Sequence, residues 1–212
     1  MNIVIFGATG PTGQLLLQQG LSRDYDYTIT AVARRPEAIE LHDDRLRVVR
    51  GDVLDAASVE QAIAGQDAVI AVFGTGYTFK PVTLYSMGTQ NIVNAMEKLH
   101  IPRLVAVTSG GTSPAHDASE GFVFGRIIKP IIGRTLYADM RRMEQIVMVS
   151  SLDWTIARPA RLINTVEIGK YRVAEAYGLP NGSTTSRADL ADFLLREVQS
   201  NQHLRQGIAI TQ

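Results

Sequence analysis

The chain contains no cysteine, which excludes disulfides, thiolate metal sites and thiol catalysis and by itself says little about compartment. No apolar run is long enough to cross a bilayer as a helix. Neither sign of charge dominates: Lys+Arg and Asp+Glu are both 21, so the overall balance points to neither nucleic acid nor an anionic membrane surface. The first residues are apolar, but glycine interrupts them at once, with no basic stretch before and no long apolar segment after. A soluble, cytoplasmic protein is expected. The histidines at 42, 100, 116 and 203 are scattered without ligand spacing, so no metal site is expected.

What is present is a chain of 212 residues with 45% hydrophobic content, enough for a sizeable core and suited to one domain over 1–212. Asn2–Phe6, Thr28–Ala33, Leu46–Arg50, Ala68–Phe73, Leu104–Thr108 and Trp154–Ala157 read as short buried strands. Helical segments are expected after the first strand (Leu15, Leu16, Leu17, Leu21), at 56–64, at 82–99 with Gly88 allowing close approach, and over Leu136–Val149. The last of these has an apolar side of Leu136, Met140, Met143, Ile146 and Val147 and a charged side. The methionines and Trp154 are read as core. A strand at 171–177, a helix from Arg187 to Gln199 and a strand at Ile208–Thr211 complete the pattern. Alternating β and α implies an α/β, Rossmann-like, doubly wound parallel sheet with helices on both faces and ligands at the strand C-termini. The Gly/Pro-punctuated, apolar stretch 110–134 and the small region 159–186 are expected to supply a substrate side.

Gly7-Ala8-Thr9-Gly10-Pro11-Thr12-Gly13 follows a strand and opens a helix, the context that makes a glycine-rich pattern specific for a dinucleotide. Gly7 permits a tight turn, Gly10 clears the approach of a pyrophosphate, and Gly13 lets the helix pack on the strand. Thr9 and Thr12 offer hydroxyls, and the helix N-terminus offers unpaired amides and a positive dipole end.

The end of the second strand decides which dinucleotide, because an acid there would bind the ribose 2′-hydroxyl and a basic residue a 2′-phosphate. Here it reads Ala33-Arg34-Arg35-Pro36. Arg34 and Arg35 favour a 2′-phosphate over a merely solvated strand end, hence NADP(H) over NAD(H). One charge-assisted contact is worth roughly 1.5–3 kcal/mol, about tenfold to a hundredfold in preference. Asp52 is placed to accept from the adenine amino group or to cap the following turn, with Val53 covering the ring. Phe73-Gly74-Thr75 ends the fourth strand where small residues admit a ribose, or forms an ordinary glycine loop.

These residues, together with Gly51-Asp52-Val53-Leu54, Gly65-Gln66-Asp67-Ala68-Val69-Ile70 and Asn91-Ile92-Val93 before Val107-Thr108-Ser109, resemble the atypical short-chain dehydrogenase/reductase superfamily. The likeness is to the flavin reductase/biliverdin-IXβ reductase group and its bacterial NAD(P)-binding relatives, and it covers most of the chain. It implies NADP(H) binding through Gly7, Thr9, Gly10, Pro11, Thr12, Gly13, Arg34 and Arg35. It also implies that Thr108, Ser109 and Pro159 lie beside the nicotinamide. Ser109 is the leading catalytic candidate, as an orienting or proton-relaying hydroxyl or as a residue that only terminates its strand.

Typical members use Ser, Tyr and Lys, with the Lys one helical turn after the Tyr. This chain has Tyr137-x-x-x-Arg141, and arginine does not surrender a proton. Tyr137 is therefore either a proton donor or a helix tyrosine. The departure fits reductases that hold NADPH against an electron-poor planar acceptor, a flavin or a quinone, and let solvent deliver the proton. It also fits a non-catalytic NADP(H)-sensing regulator resembling the nitrogen-metabolite-repressor-like proteins. A nucleotide-sugar epimerase would need the Tyr-Lys pair and a larger C-terminal region.

Overall fold

The computed structural model describes residues 1–22, 24–113, 133–165 and 167–212. In chain order the elements are β1 (Asn2–Phe6), α1 (Pro11–Gly20), β2 (Thr28–Ala33), β3 (Leu46–Arg50), α2 (Ala56–Ile63), β4 (Ala68–Ala71), α3 (Leu84–Leu99), β5 (Arg103–Val107) and α4 (Arg134–Val149). There follow β6 (Asp153–Pro159), β7 (Arg161–Ile163), β8 (Arg172–Glu175), β9 (Thr184–Ser186), α5 (Arg187–Gln199) and β10 (Gln206–Thr211). Among the described residues eight strands form one sheet in the order β3-β2-β1-β4-β5-β6-β10-β8, and β7 pairs with β9.

The apolar runs are continuous because both faces of the sheet are covered. Ile3 and Ile5 pack with Leu16 and Leu17 of α1 and with Leu190 and Leu194 of α5. Val4 and Phe6 point the other way, into a cluster with Val59 and Ile63 of α2, Ile92 and Met96 of α3, and Met140 and Met143 of α4. Trp154 joins that second cluster. Burying one such aliphatic or aromatic side chain is worth roughly 1.5–3 kcal/mol, so this alternation drives the layering.

The strand order reverses between β1 and β4, so the loops leaving these two strands part and open a crevice at the sheet's C-terminal edge. Seven parallel strands end on that edge, from β3 through β6 to β10, spanning about 29 Å at the usual strand spacing.

Two expectations need correction. The sheet is not wholly parallel: β8 runs antiparallel to β10, with Ile208 opposite Glu175. That strand is a largely exposed edge, where a sheet otherwise parallel commonly takes an antiparallel strand. The fourth strand ends at Ala71 instead of Phe73, because after Val72 donates to Phe6 O the backbone of Phe73 crosses over Gly7. In the stretch 110–134, Gly110–Thr112 forms a single 3-10 turn, while Phe122, Phe124, Ile127, Ile128, Ile131 and Ile132 lie outside the described residues.

Candidate dinucleotide and acceptor site

Gly7 has φ +97, and a Cβ there would lie 2.5 Å from the Phe73 amide nitrogen. Only glycine lets β1 turn this close to the end of β4. The Gly10 N–H donates to Gly7 O at 3.0 Å, and a Cβ on Gly13 would collide with that same carbonyl oxygen. Gly10 itself is different. Its backbone (φ −73, ψ 162) suits any residue, and a Cβ there would meet only Gly7 O, at 3.3 Å. The chain's own packing demands glycine at 7 and 13 and scarcely at 10.

Pro11 takes the first helical position and has no N–H to contribute. The amides of Thr12 and Gly13 then have no intrahelical acceptor. No side chain caps α1 and no acid lies in its first turn, so its dipole and amides are left to an external anion. Thr9 is exposed beside them and Thr12 is buried. This cradle fits the diphosphate of a dinucleotide.

At one end of the crevice Arg34 and Arg35 leave β2 exposed. The β2/β3 register places Arg50 opposite Ala33, and Arg50 Nη1 donates to Arg34 O at 3.1 Å. Its Nη2 lies 3.8 Å from Glu37 Oε2. Three arginines thus gather where the sequence pointed to two. Asp52 Oδ1 accepts from the Leu54 N–H at 3.0 Å, so this carboxylate caps its turn. Val53 packs toward α3, where a Cβ on Gly88 would be 2.9 Å from Val53 Cγ2.

Phe73, Gly74 and Thr75 carry the chain away from β4 in the middle of the edge. The Tyr85 hydroxyl, from α3, accepts from the Thr75 N–H at 3.1 Å and pins this loop. Burial pushes the Tyr85 phenol up from its ordinary value, so it stays a neutral hydroxyl there. The N-terminus of α3 is held in turn by Asp139 of α4, fully buried, which accepts from the Tyr85 N–H at 2.9 Å and from the Ser86 N–H and hydroxyl.

Beyond β5 the Ser109 hydroxyl accepts from the Gly111 N–H at 3.1 Å, which leaves its own proton to donate elsewhere. The residues flanking it are tied down. Thr108 donates to Glu144 Oε1 at 2.7 Å and Thr112 to the same oxygen at 3.0 Å. Glu144 is paired with Arg158, whose Nη2 lies 2.9 Å from Oε2 and whose Nε lies 3.1 Å from Oε1. The Arg158 guanidinium carbon sits 3.9 Å from the centre of the Tyr177 ring. Pro159, the next residue, is buried at the end of β6. Thr108 therefore turns its hydroxyl into this buried pair, and Ser109 is the hydroxyl of the strip with a proton to offer.

Tyr137 lies on the same side of α4 as Glu144 and packs on the strip's backbone: a Cβ on Gly111 would be 2.5 Å from Tyr137 Cε1. Its hydroxyl is 2.9 Å from that of Tyr77, in the loop after β4. The structure thus brings Gly7 through Gly13, Phe73–Thr75, Thr108, Ser109, Tyr137 and Pro159 to one edge, with Arg34 and Arg35 at its far end. Sequence reasoning missed Arg50, Glu144, Arg158 and Tyr77. The only local signals were the arginine ending the third strand run and the Arg-Pro pair ending the sixth. Among the described residues no three His, Asp or Glu are placed to hold a metal ion.

The sheet order, the switch point and the capless glycine turn define a Rossmann-like dinucleotide-binding protein. The chain belongs to the NAD(P)H-binding family, whose profile matches residues 7–201. It is 28% identical over 181 residues to an uncharacterized chloroplastic protein of Arabidopsis thaliana, covering 79% of this chain and 61% of that protein. The chain thus spans about three fifths of that relative's length. Among solved structures it shares its fold with a short-chain dehydrogenase/reductase of Veillonella parvula in complex with NADP, at TM-score 0.76 and 21% identity, covering 100% of this chain and 94% of that one. It likewise shares the fold of the anaerobilin reductase ChuY of Escherichia coli, at TM-score 0.74 and 21% identity, covering 100% and 97%.

Proposed function

We propose that this protein is an NADPH-dependent reductase of a planar conjugated acceptor of the flavin, quinone or bilin type. The observation that carries the reading is the continuity of one edge: an arginine cluster, an uncapped glycine cradle and a rigidly held Ser109 strip lie in that order along the strand ends. Gly7, Gly10, Gly13 and the Thr12 amide would hold the diphosphate, and Arg34, Arg35 and Arg50 a 2′-phosphate. When bound there, NADPH supplies a hydride from its nicotinamide ring.

The chain's own residues then orient and enclose. Ser109 donates a hydrogen bond to the nicotinamide amide or to the acceptor. Tyr77, Tyr137 and Tyr177 gather aromatic surface near the strip, suited to a flat ring system. Holding the two reactants face to face supplies much of the rate. The NADP complex of one structural neighbour and the bilin-reducing name of the other support this choice of cofactor and acceptor class. A cytoplasmic location belongs to the same proposal; among the described residues no helix is long and apolar enough to cross a membrane.

A second reading, a dinucleotide-sensing regulator, is favoured by Arg141 standing where a proton-shuttling lysine would be expected. One experiment separates them: NADPH oxidation followed with FMN, with a small quinone and without acceptor, beside a direct NADPH binding measurement. Acceptor-dependent turnover supports the reductase, whereas tight binding with no acceptor-dependent turnover supports the sensor.

A further inference from the structure

We propose that Tyr77 is the outer hydroxyl of a two-phenol proton relay, with Tyr137 as the inner one, and that the acceptor it serves carries a carbonyl or quinone oxygen. This rests on the reductase reading above. The Tyr77 and Tyr137 hydroxyl oxygens are 2.9 Å apart, and the rings meet edge to face with centroids 6.4 Å apart. Tyr137 is 4% exposed and Tyr77 is 50% exposed. One phenol of the pair is therefore inside, packed on Gly111 next to the Ser109 turn, and the other meets water.

The pairing is built into the scaffold. The loop carrying Tyr77 is fastened to α3 through the Thr75 N–H and Tyr85, and to the start of α4 through the Thr135 hydroxyl, which donates to Thr78 O at 3.3 Å. Two anchors on either side of Tyr77 keep its hydroxyl within bonding distance of Tyr137. Arg141, one turn along the same helix, has no proton to give.

Hydride addition to a carbonyl or quinone leaves a basic oxygen. That oxygen takes the proton of Tyr137, the Tyr137 phenolate takes the proton of Tyr77, and water reprotonates Tyr77. The acceptor gains one hydride and one proton, and NADPH leaves as NADP+. Reduced flavin is different, because its anion is stable near neutral pH and its reduction needs no such relay.

The test uses the full chain and Tyr77→Phe, which keeps the ring and removes the hydroxyl. A positioned proton donor contributes about a hundredfold or more, and loss of the outer member is expected to slow quinone turnover at least about tenfold. FMN turnover is expected to fall much less than quinone turnover, while the NADPH dissociation constant and the thermal midpoint stay near wild type. Unchanged quinone turnover, or equal loss with both acceptors, overturns the relay. In wild-type protein, quinone turnover against deuterium fraction is expected to bow downward, as two moving protons require. A linear or absent dependence overturns the relay without any substitution. Failure of the wild-type protein to turn over either acceptor overturns the reductase reading, and the relay with it.

Discussion

Glu144 and Arg158 form a buried ion pair, 2.9 Å apart at Nη2 and Oε2, directly beneath the turn that carries Ser109. Each has less than a tenth of its side chain exposed. Helix α4 and strand β6 meet here, and the carboxylate oxygen nearest the turn also takes the hydroxyls of Thr108 and Thr112. The space exists because residue 207 is glycine: a Cβ there would collide with the Arg158 guanidinium. A buried pair adds little net stability over an apolar pair of the same shape, but losing one partner strands the other.

Glu144→Ala is therefore expected to destabilise the fold by roughly 3–5 kcal/mol, read as a lower urea midpoint. The double substitution Glu144→Met with Arg158→Met should lie closer to wild type than either single change. A single change within experimental error of wild type would show that the pair does not hold the turn.

The three glycines of the Gly7–Gly13 turn should separate into two kinds. Gly7→Ala and Gly13→Ala place a Cβ on backbone atoms and should lower the thermal midpoint of the protein without any ligand. Gly10→Ala should melt near wild type yet bind NADPH several-fold more weakly. Thermal melts with and without nucleotide, alongside a binding titration, check both; equal melting losses for all three would assign Gly10 to packing alone.

Cofactor selection should follow the arginines. Arg34→Ala and Arg35→Ala are each expected to weaken NADPH by about tenfold or more while NADH changes little, since a charge-assisted hydrogen bond is worth roughly 1.5–3 kcal/mol. Arg50→Ala should act in the same direction, because the strand register sets it beside them. Paired NADPH and NADH titrations decide this, and parallel losses in the two affinities would make the arginines structural.

Tyr27 makes stability depend on alkaline pH. Burial, and secondarily the nearby Tyr25, pushes its phenol well above the ordinary range; its hydroxyl donates to Leu195 O at 2.8 Å. The unfolded chain loses this proton near pH 10 and the folded chain only at higher pH. The contribution is complete below about pH 10 and is lost as pH rises toward the folded value. Thermal midpoints should fall above about pH 10. Tyr27→Phe should cost about 1 kcal/mol at neutral pH and flatten that alkaline fall. An unchanged alkaline slope in Tyr27→Phe would place the titrating group elsewhere.

Alternating apolar segments, the Gly7–Gly13 turn, the arginines after β2 and the helices at either end of the chain were legible before any coordinates. These are properties of consecutive residues: a buried strand needs an apolar run, a positive φ needs glycine, and a helix start needs free amides. The strand at 171–177 was legible, but its antiparallel direction at the sheet edge was not, because direction is set by which neighbour it meets across the sheet. Nor were the partners of the site. Tyr77 and Tyr137 are 60 residues apart in the chain, Ser86 and Asp139 are 53 apart, and Arg50 reaches Arg34 only through the register of β2 against β3. The helical spacing of α4 showed a charged side but not that Asp139 and Glu144 are buried, because their partners come from α3, β6 and the turn after β5. Local chemistry determined the sheet and its glycine turn; the packing of distant elements decided which hydroxyls and charges meet at its edge, since a polar group enters the interior only where another element brings it a partner.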